Sequence, residues 1–154
     1  MITIPLTQGR FTVVSNEDYE WLSQDSWHFV LHRIHPRAEG GSGNRNRKMM
    51  HRQIAERVLG KPLPPGAEVH HADENTLNNQ RSNLVICENS SYHKLLHRRI
   101  KAVKACGHLD WRKCRYCGEY DSPENLSIPS DGYNPYHKRC AAQYRREYRD
   151  RLFT

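Results

Sequence analysis

The chain has 154 residues and a hydrophobic content of 36%, which limits it to one modest core or two small units. No apolar run approaches the length of a membrane span, and the first residues lack the basic and then apolar layout of a signal peptide. We therefore expect a soluble, cytoplasmic protein. A core this small often needs a metal ion as a staple.

The net charge of +7 is unevenly distributed along the chain. Residues 1–89 hold 10 Lys and Arg against 10 Asp and Glu, whereas residues 90–154 hold 14 against 7. This asymmetry is typical of a protein with a polyanionic partner, although a basic face kept for solubility would give the same count. The five cysteines are an odd number without a secretory signal, which favours metal binding over a disulfide framework.

The first 33 residues predict a small β-rich module. Strands are expected over residues 2–6, 11–14 and 27–33, with a turn at Gln8 and Gly9 between the first two. Ser15 and Asp18 form a capping pattern for a short helix over residues 19–22.

Residues 36–47 are rich in Gly, Asn and Arg and predict a flexible loop, since their centre at residues 40–43 has almost no side chain to pack. We place a domain boundary here. The loop is either a plain solvent loop or a DNA contact through Arg45, Arg47 and Lys48.

An amphipathic helix is predicted over residues 50–59, with Met50, Ile54 and Val58 on one stripe. Gly60 ends it. The three prolines at positions 62, 64 and 65 force an extended connection into a strand over residues 67–71.

Residues 69–97 hold four of the ten histidines and are the most informative part of the chain. His70 and His71 are adjacent, while His93 and His97 are four apart and share one face of a predicted helix. Between the pairs lie a polar loop that ends at Asn83 and an apolar, β-prone run over residues 84–87. The order predicts strand, loop, strand and helix.

These residue types suit metal-assisted hydrolysis of a phosphodiester. Neutral imidazoles can hold a divalent ion, and a further imidazole that titrates near neutrality can take a proton from water. Because neighbours on a strand point to opposite faces, one of His70 and His71 can face the ion and the other the water. Asn83 is placed to fix the loop and the orientation of His71.

This ordered set resembles the catalytic core of HNH endonucleases, the ββα-metal nucleases, and most closely their phage and prophage forms. The resemblance implies that His71 is the general base, Asn83 the central Asn, and His93 a metal ligand. It places His70 where many relatives have an Asp ligand and implies that His97 is an extra ligand. The His at position 70 leaves the ion open among Mg²⁺, Mn²⁺, Zn²⁺ and Ni²⁺.

The likeness is continuous from about His51 onward, and the β-rich module also resembles one that precedes the nuclease core in some phage HNH proteins. It implies a phage or prophage protein that cuts double-stranded DNA as a monomer or a homodimer, leaving a 5′-phosphate and a 3′-hydroxyl. The biological setting, whether homing, packaging or restriction, stays open.

Basic residues flank the predicted site and are candidates for phosphate contacts. A basic helix tail also complements the helix dipole without any ligand. The DNA-binding candidates are Arg81, Lys94, Arg98, Arg99, Lys101, Arg145, Arg146 and Arg149.

A second metal site is predicted in the C-terminal segment. Cys114 and Cys117 form one knuckle, and His137 and Cys140 form another, which together make a closed Cys3His set for structural zinc. The pair of Cys106 and His108 competes for the second half, but its closeness to Cys114 would cramp the loop. Cys87, in an apolar strand, is expected to be a buried small residue. The same two knuckles resemble a zinc-binding piece that follows the core in some phage HNH proteins.

The sequence therefore predicts an α+β protein with a β-rich module at residues 1–47, a ββα-metal core at residues 48–104, and a zinc knuckle unit with a terminal helix at residues 105–154. The predicted function is a metal-dependent DNA endonuclease. The alternatives are a non-catalytic, zinc-stabilised DNA-binding module and, within the enzyme class, an RNA substrate.

Overall fold

The computed structural model describes residues 2–32, 34–40, 48–130 and 132–152. The centre of the predicted flexible loop, with Arg45 and Arg47, lies outside the described residues, as does Arg33 at the end of the third predicted strand. The fold is α+β, as predicted. Its strands are β1 (Ile2–Pro5), β2 (Phe11–Val14), β3 (Trp27–His32), β4 (His35–Gly40), β5 (Lys48–Met49), β6 (Glu68–His71), β7 (Asn78–Asn79), β8 (Leu84–Cys87), β9 (Arg112–Lys113) and β10 (Tyr120–Asp121). Its helices are α1 (Asn16–Leu22), α2 (Met50–Leu59), α3 (Ser90–Cys106) and α4 (Lys138–Leu152).

The chain forms two compact units, residues 1–93 and residues 94–154, with the boundary inside the continuous helix α3. The three-part division predicted from the sequence stays a prediction.

The first unit contains three small sheets, ordered β1-β2-β7, β3-β4-β5 and β6-β8. Strand β7, in the polar loop of the histidine-rich segment, pairs in parallel with β2. The unit has an apolar core of its own, formed by the buried side chains of Ile4, Leu6, Val14, Leu22, Trp27, Ala38, Met50 and Ile54.

The loop predicted from residue 36 begins instead as strand β4, which pairs along its whole length with β3. The composition is misleading here because a strand needs cross-strand partners more than it needs bulky side chains. Gly40 lies against the Trp27 ring, where an added Cβ would come within 2.9 Å of the ring. A glycine here allows the close contact that buries Trp27.

Two local predictions fail. Ser15 occupies the position before α1, but its hydroxyl makes no capping bond and accepts the backbone N–H of Arg81 at 2.9 Å instead. Val58, expected on the buried stripe of α2, is 56% exposed, while Met50 and Ile54 are buried. A tertiary hydrogen bond engages the Ser15 hydroxyl, and the packing of α2 leaves Val58 exposed, so in both cases the tertiary structure overrides the local pattern.

The second unit has little apolar core. Strands β9 and β10 form a short hairpin around the first cysteine pair, and α4 begins directly after His137. The buried apolar residues that the structure describes here are only Ala102, Cys114, Leu126 and Ala141.

None of the described helices is both long enough and apolar enough to cross a membrane.

Candidate active site and zinc site

Strands β6 and β8 and the first turns of α3 bring the histidine-rich segment together. The two strands are antiparallel, with His70 opposite Val85 and His71 opposite Leu84. Asn89 caps α3 by accepting the Tyr92 backbone N–H at 2.9 Å. His70 and His71 are both buried and face opposite sides, as expected for neighbours on a strand.

The side of β6 to which His70 points carries a group of three imidazoles. Metal-binding nitrogens of His70, His93 and His97 all lie within 4.8 Å of one another. Nε2 of His93 and Nδ1 of His70 are 3.1 Å apart, and His97 lies one turn beyond His93 on α3. A set of imidazole nitrogens this close together fits a divalent ion.

Glu68 orients this group. Nδ1 of His93 donates a hydrogen bond to the Glu68 carboxylate, so Nε2 is the ring nitrogen that faces His70. Carboxylates commonly hold metal-ligating imidazoles in this way and make them better ligands. Glu68 and His70 lie two residues apart on β6 and therefore share a face.

The other side carries His71. Its Nε2 lies 3.1 Å from the side-chain oxygen of Asn79, and its ring meets the His51 ring edge to face, with centroids 5.2 Å apart. Burial lowers the pKa of His71 below 6.5, and the nearby His93 and Arg37 lower it further against the opposing effects of Asn79 and Asp73. His71 is therefore neutral, and able to accept a proton, at neutral pH.

Asn83 shapes the loop between the strands. Its side-chain amide donates to Asp73 and to the Asn78 carbonyl, both at 2.8 Å, and its side-chain oxygen accepts the Asp73 N–H at 2.9 Å. Its backbone carbonyl accepts the Ala72 N–H at 2.8 Å, one residue after His71. These bonds bear on the loop that follows His71, whereas the His71 ring is contacted by Asn79.

Arg81, a predicted DNA contact, lies in an ion pair with the fully buried Asp18. Its Nε and Nη2 donate to the two carboxylate oxygens at 2.7 and 2.6 Å. This bidentate pair ties the loop to α1. A DNA contact by Arg81 stays a prediction.

His51 provides a prediction about acid stability. Burial, followed by the effects of His71, Arg37 and Arg52, lowers the pKa of His51 from 6.5 to about 3. Between these values the unfolded chain binds a proton that the folded chain does not, so stability falls as the pH falls, by a few kcal/mol for this group. We expect His51→Phe to flatten this dependence in urea titrations between about pH 6.5 and about pH 3. Equal slopes for the two proteins would contradict the prediction.

The C-terminal unit contains the predicted Cys3His group. The ligand atoms of Cys114, Cys117, His137 and Cys140 all lie within 4.8 Å of one another. The first two lie on the turn of the hairpin, where Gly118 adopts a φ of +78° and donates to the Cys114 carbonyl. The other two lie just before α4 and in its first turn. Three thiols and one imidazole are the donor set of a closed structural zinc site.

Two features prepare these ligands for a cation. Nε2 of His137 lies 3.1 Å from Asp121, which turns Nδ1 toward Cys117 and Cys140 at 3.4 and 3.7 Å. Burial alone would raise the pKa of the Cys114 thiol, but hydrogen bonds from backbone N–H groups at Cys117, His137 and Tyr116 lower it to about 6. A thiolate is thus accessible near neutral pH.

The competing pair, Cys106 and His108, lies outside this group of four side chains. Cys106 hydrogen-bonds to the Ala102 carbonyl at 3.1 Å, and His108 stacks on Trp111 with ring centroids 4.0 Å apart. Cys87 is completely buried, as predicted.

The remaining DNA-binding candidates lie in residues 94–154. A cleft of about 590 Å³ in this unit is lined by five basic side chains, those of Arg98, Lys101, Arg112, Lys113 and Arg115. Burial, followed by the charge of Arg98, lowers the pKa of Arg112. Arg99 pairs with Asp110 at 3.0 Å. The exposed candidates are Lys94, Arg98, Lys101, Arg145, Arg146 and Arg149.

Sequence reasoning missed four polar residues around the histidines. Glu68 could have been recognised from the sequence, because it lies two residues before His70 on the same strand. Thr12 could also have been recognised, because Thr12 and Val14 share the buried face of β2, which places a polar hydroxyl in the core. Asn79 and His51 become recognisable only through their contacts with His71.

The comparison with known families agrees with this geometry. Residues 48–93 match the HNH endonuclease family. This segment is therefore similar to HNH endonucleases. The match spans β5, α2, the strands β6, β7 and β8 and the start of α3, and ends at His93. No curated protein and no solved structure matches the chain.

Proposed function

We propose that this protein is a metal-dependent DNA endonuclease in which His71 is the general base. The observation that carries the proposal is the placement of a buried imidazole, whose pKa is lowered by burial, beside a group of three further imidazoles. The arrangement lies mainly in the segment that matches HNH endonucleases.

His71 accepts a proton from the attacking water through the ring nitrogen that does not face Asn79. The water oxygen forms a bond to phosphorus, the bond from phosphorus to the 3′ oxygen breaks, and the 3′ oxygen takes a proton from solvent. The products are a 5′-phosphate and a 3′-hydroxyl. A divalent ion, when bound, supplies positive charge that stabilises the transition state and the leaving oxygen. His70, His93 and His97 would hold it.

The donor set bears on which ion is used. Imidazole nitrogens suit Zn²⁺ and Ni²⁺, whereas Mg²⁺ and Mn²⁺ prefer oxygen ligands. Among the ions predicted from the sequence, we therefore propose that Ni²⁺ or Zn²⁺ supports cutting better than Mg²⁺ or Mn²⁺.

Digestion of supercoiled plasmid with each ion, followed by mapping of the ends, tests the function. The expected result is nicked or linear DNA with 5′-phosphate ends. One active site per chain nicks one strand per event, so a concerted double cut would indicate a homodimer. Intact plasmid with every ion, despite retained DNA binding, would favour the non-catalytic zinc-stabilised DNA-binding module. Preferential cutting of single-stranded RNA would instead favour the RNA substrate.

We also propose that residues 94–154 supply most of the affinity for double-stranded DNA. This unit holds 14 Lys and Arg against 7 Asp and Glu. Each phosphate contact releases counterions and makes binding sensitive to salt.

Replacing Arg98, Lys101 and Arg112 together by Gln should weaken DNA binding and reduce the salt slope by about 0.9 for each phosphate group that is no longer neutralised. The matched control replaces Arg10, Arg57 and Lys61, which carry the same total charge within residues 1–93. Binding titrations over a salt series, without a divalent ion, compare the two. An equal decrease in affinity for both variants would mean that only net charge matters and that the cleft has no particular role.

A further inference from the structure

The His71 ring is connected to the N-terminal strand β2 by a chain of buried hydrogen bonds. Nε2 of His71 lies 3.1 Å from Oδ1 of Asn79, and Nδ2 of Asn79 donates to Oγ1 of Thr12 at 2.7 Å. Oγ1 of Thr12 in turn donates to the Leu77 carbonyl at 2.8 Å. Thr12 is 0% exposed and Asn79 is 1% exposed, so water does not compete for these groups.

The donor and the acceptor of every hydrogen bond in this series can be assigned from the last acceptor, the Leu77 carbonyl. A carbonyl oxygen can only accept, so the single hydroxyl proton of Thr12 is committed to Leu77. Oγ1 must then accept from the Asn79 amide, which turns the amide oxygen toward His71. Since this oxygen can only accept, Nε2 of His71 carries the proton. The lone pair of the neutral ring is therefore on Nδ1.

The backbone holds the chain of bonds in place. Strands β2 and β7 pair in parallel, with Val14 opposite Asn79. The Leu77 carbonyl also accepts the Val13 N–H at 2.8 Å, so both of its lone pairs are used and the Thr12 hydroxyl meets a fixed acceptor. Thr12 and Asn79 are 67 residues apart in sequence but are held at fixed positions by this pairing.

We propose that Asn79 and Thr12 are positioning residues that hold His71 in the tautomer and orientation in which Nδ1 accepts the proton of water. The proposal rests on the proposed function, in which His71 is the base. It also gives the N-terminal module a role, because strand β2 completes the support of the active site. Hydrogen-bond partners that fix the tautomer of metal-ligating imidazoles contribute about ten- to a hundredfold in activity, and we expect an effect of the same order for a partner of the base.

The kinetic test compares Thr12→Val, which removes the hydroxyl, with Thr12→Ser, which keeps it. Thr3→Val is the matched control, since Thr3 is an exposed threonine on the neighbouring strand β1. Thr12→Val and Asn79→Ala should lower kcat about ten- to a hundredfold with little change in KM, while Thr12→Ser and Thr3→Val stay close to wild type. Unchanged kcat in folded Thr12→Val and Asn79→Ala would overturn the proposal.

A spectroscopic test does not depend on cleavage. Long-range ¹⁵N correlation spectra of the full chain, at about pH 8 where the ring is neutral, report which nitrogen of His71 carries the proton. The wild type should show the Nε2–H form, and Thr12→Val should show a mixture or the Nδ1–H form. An Nδ1–H ring in the wild type would overturn the proposal even if Thr12→Val fails to fold. If the wild type cuts no nucleic acid but shows the Nε2–H form, the proposed function fails while the hydrogen-bond chain stands.

Discussion

Replacing His71 by Ala should lower the rate of DNA cleavage by roughly two to four powers of ten, which is the usual contribution of a general base. The fold should tolerate the change, because His71 belongs neither to the three-imidazole group nor to the apolar core. Affinity for DNA should stay near normal, since His71 is neutral and buried and the basic excess lies in residues 94–154.

The matched control is His28→Ala, which removes an exposed histidine on β3 and should leave cleavage unchanged. Added imidazole should partly restore cutting by the His71→Ala protein, because it can enter the space left by the ring and accept the proton. Wild-type cleavage by His71→Ala would show that the base is another group. Loss of DNA binding together with cleavage would point to a structural role for His71.

The local features of the core could be predicted because they depend on short-range rules. The alternation of a strand places His70 and His71 on opposite faces, and the four-residue spacing on a helix brings His93 and His97 together. The two knuckles were readable for the same reason, since Cys-x-x-Cys spacing is set by the local geometry of a turn.

What could not be predicted depends on contacts between distant parts of the chain. Arg81 pairs with Asp18, and Asn79 bonds to Thr12, across more than sixty residues in each case. Strand β4 could not be predicted because its residues favour a loop by composition and become a strand through pairing with β3. Another long-range contact explains Ser15: its hydroxyl was expected to cap α1 but accepts the backbone N–H of Arg81 instead.

We expect the zinc ion predicted for the Cys3His group to hold residues 94–154 folded, so its removal should unfold them. The buried apolar residues that the structure describes in this unit are Ala102, Cys114, Leu126 and Ala141. Cys114 is itself a member of the Cys3His group. A segment of about sixty residues needs far more buried apolar surface than these four residues supply. A structural zinc ion contributes about 10–16 kcal/mol in small domains at neutral pH.

Cys117→Ser should therefore make residues 94–154 sensitive to limited proteolysis and remove their dispersed amide signals, while residues 1–93 keep their own core. The matched control is Cys106→Ser, because Cys106 lies in the same unit but outside the ligand group. A mild chelator should stop cleavage before it unfolds the unit, since the three-imidazole site must leave positions open for substrate whereas the Cys3His site is closed. Metal analysis of the purified protein should find tightly held zinc in the wild type and in Cys106→Ser but not in Cys117→Ser. A protected C-terminal unit without zinc would contradict this, since it would show that the sparse core is sufficient by itself.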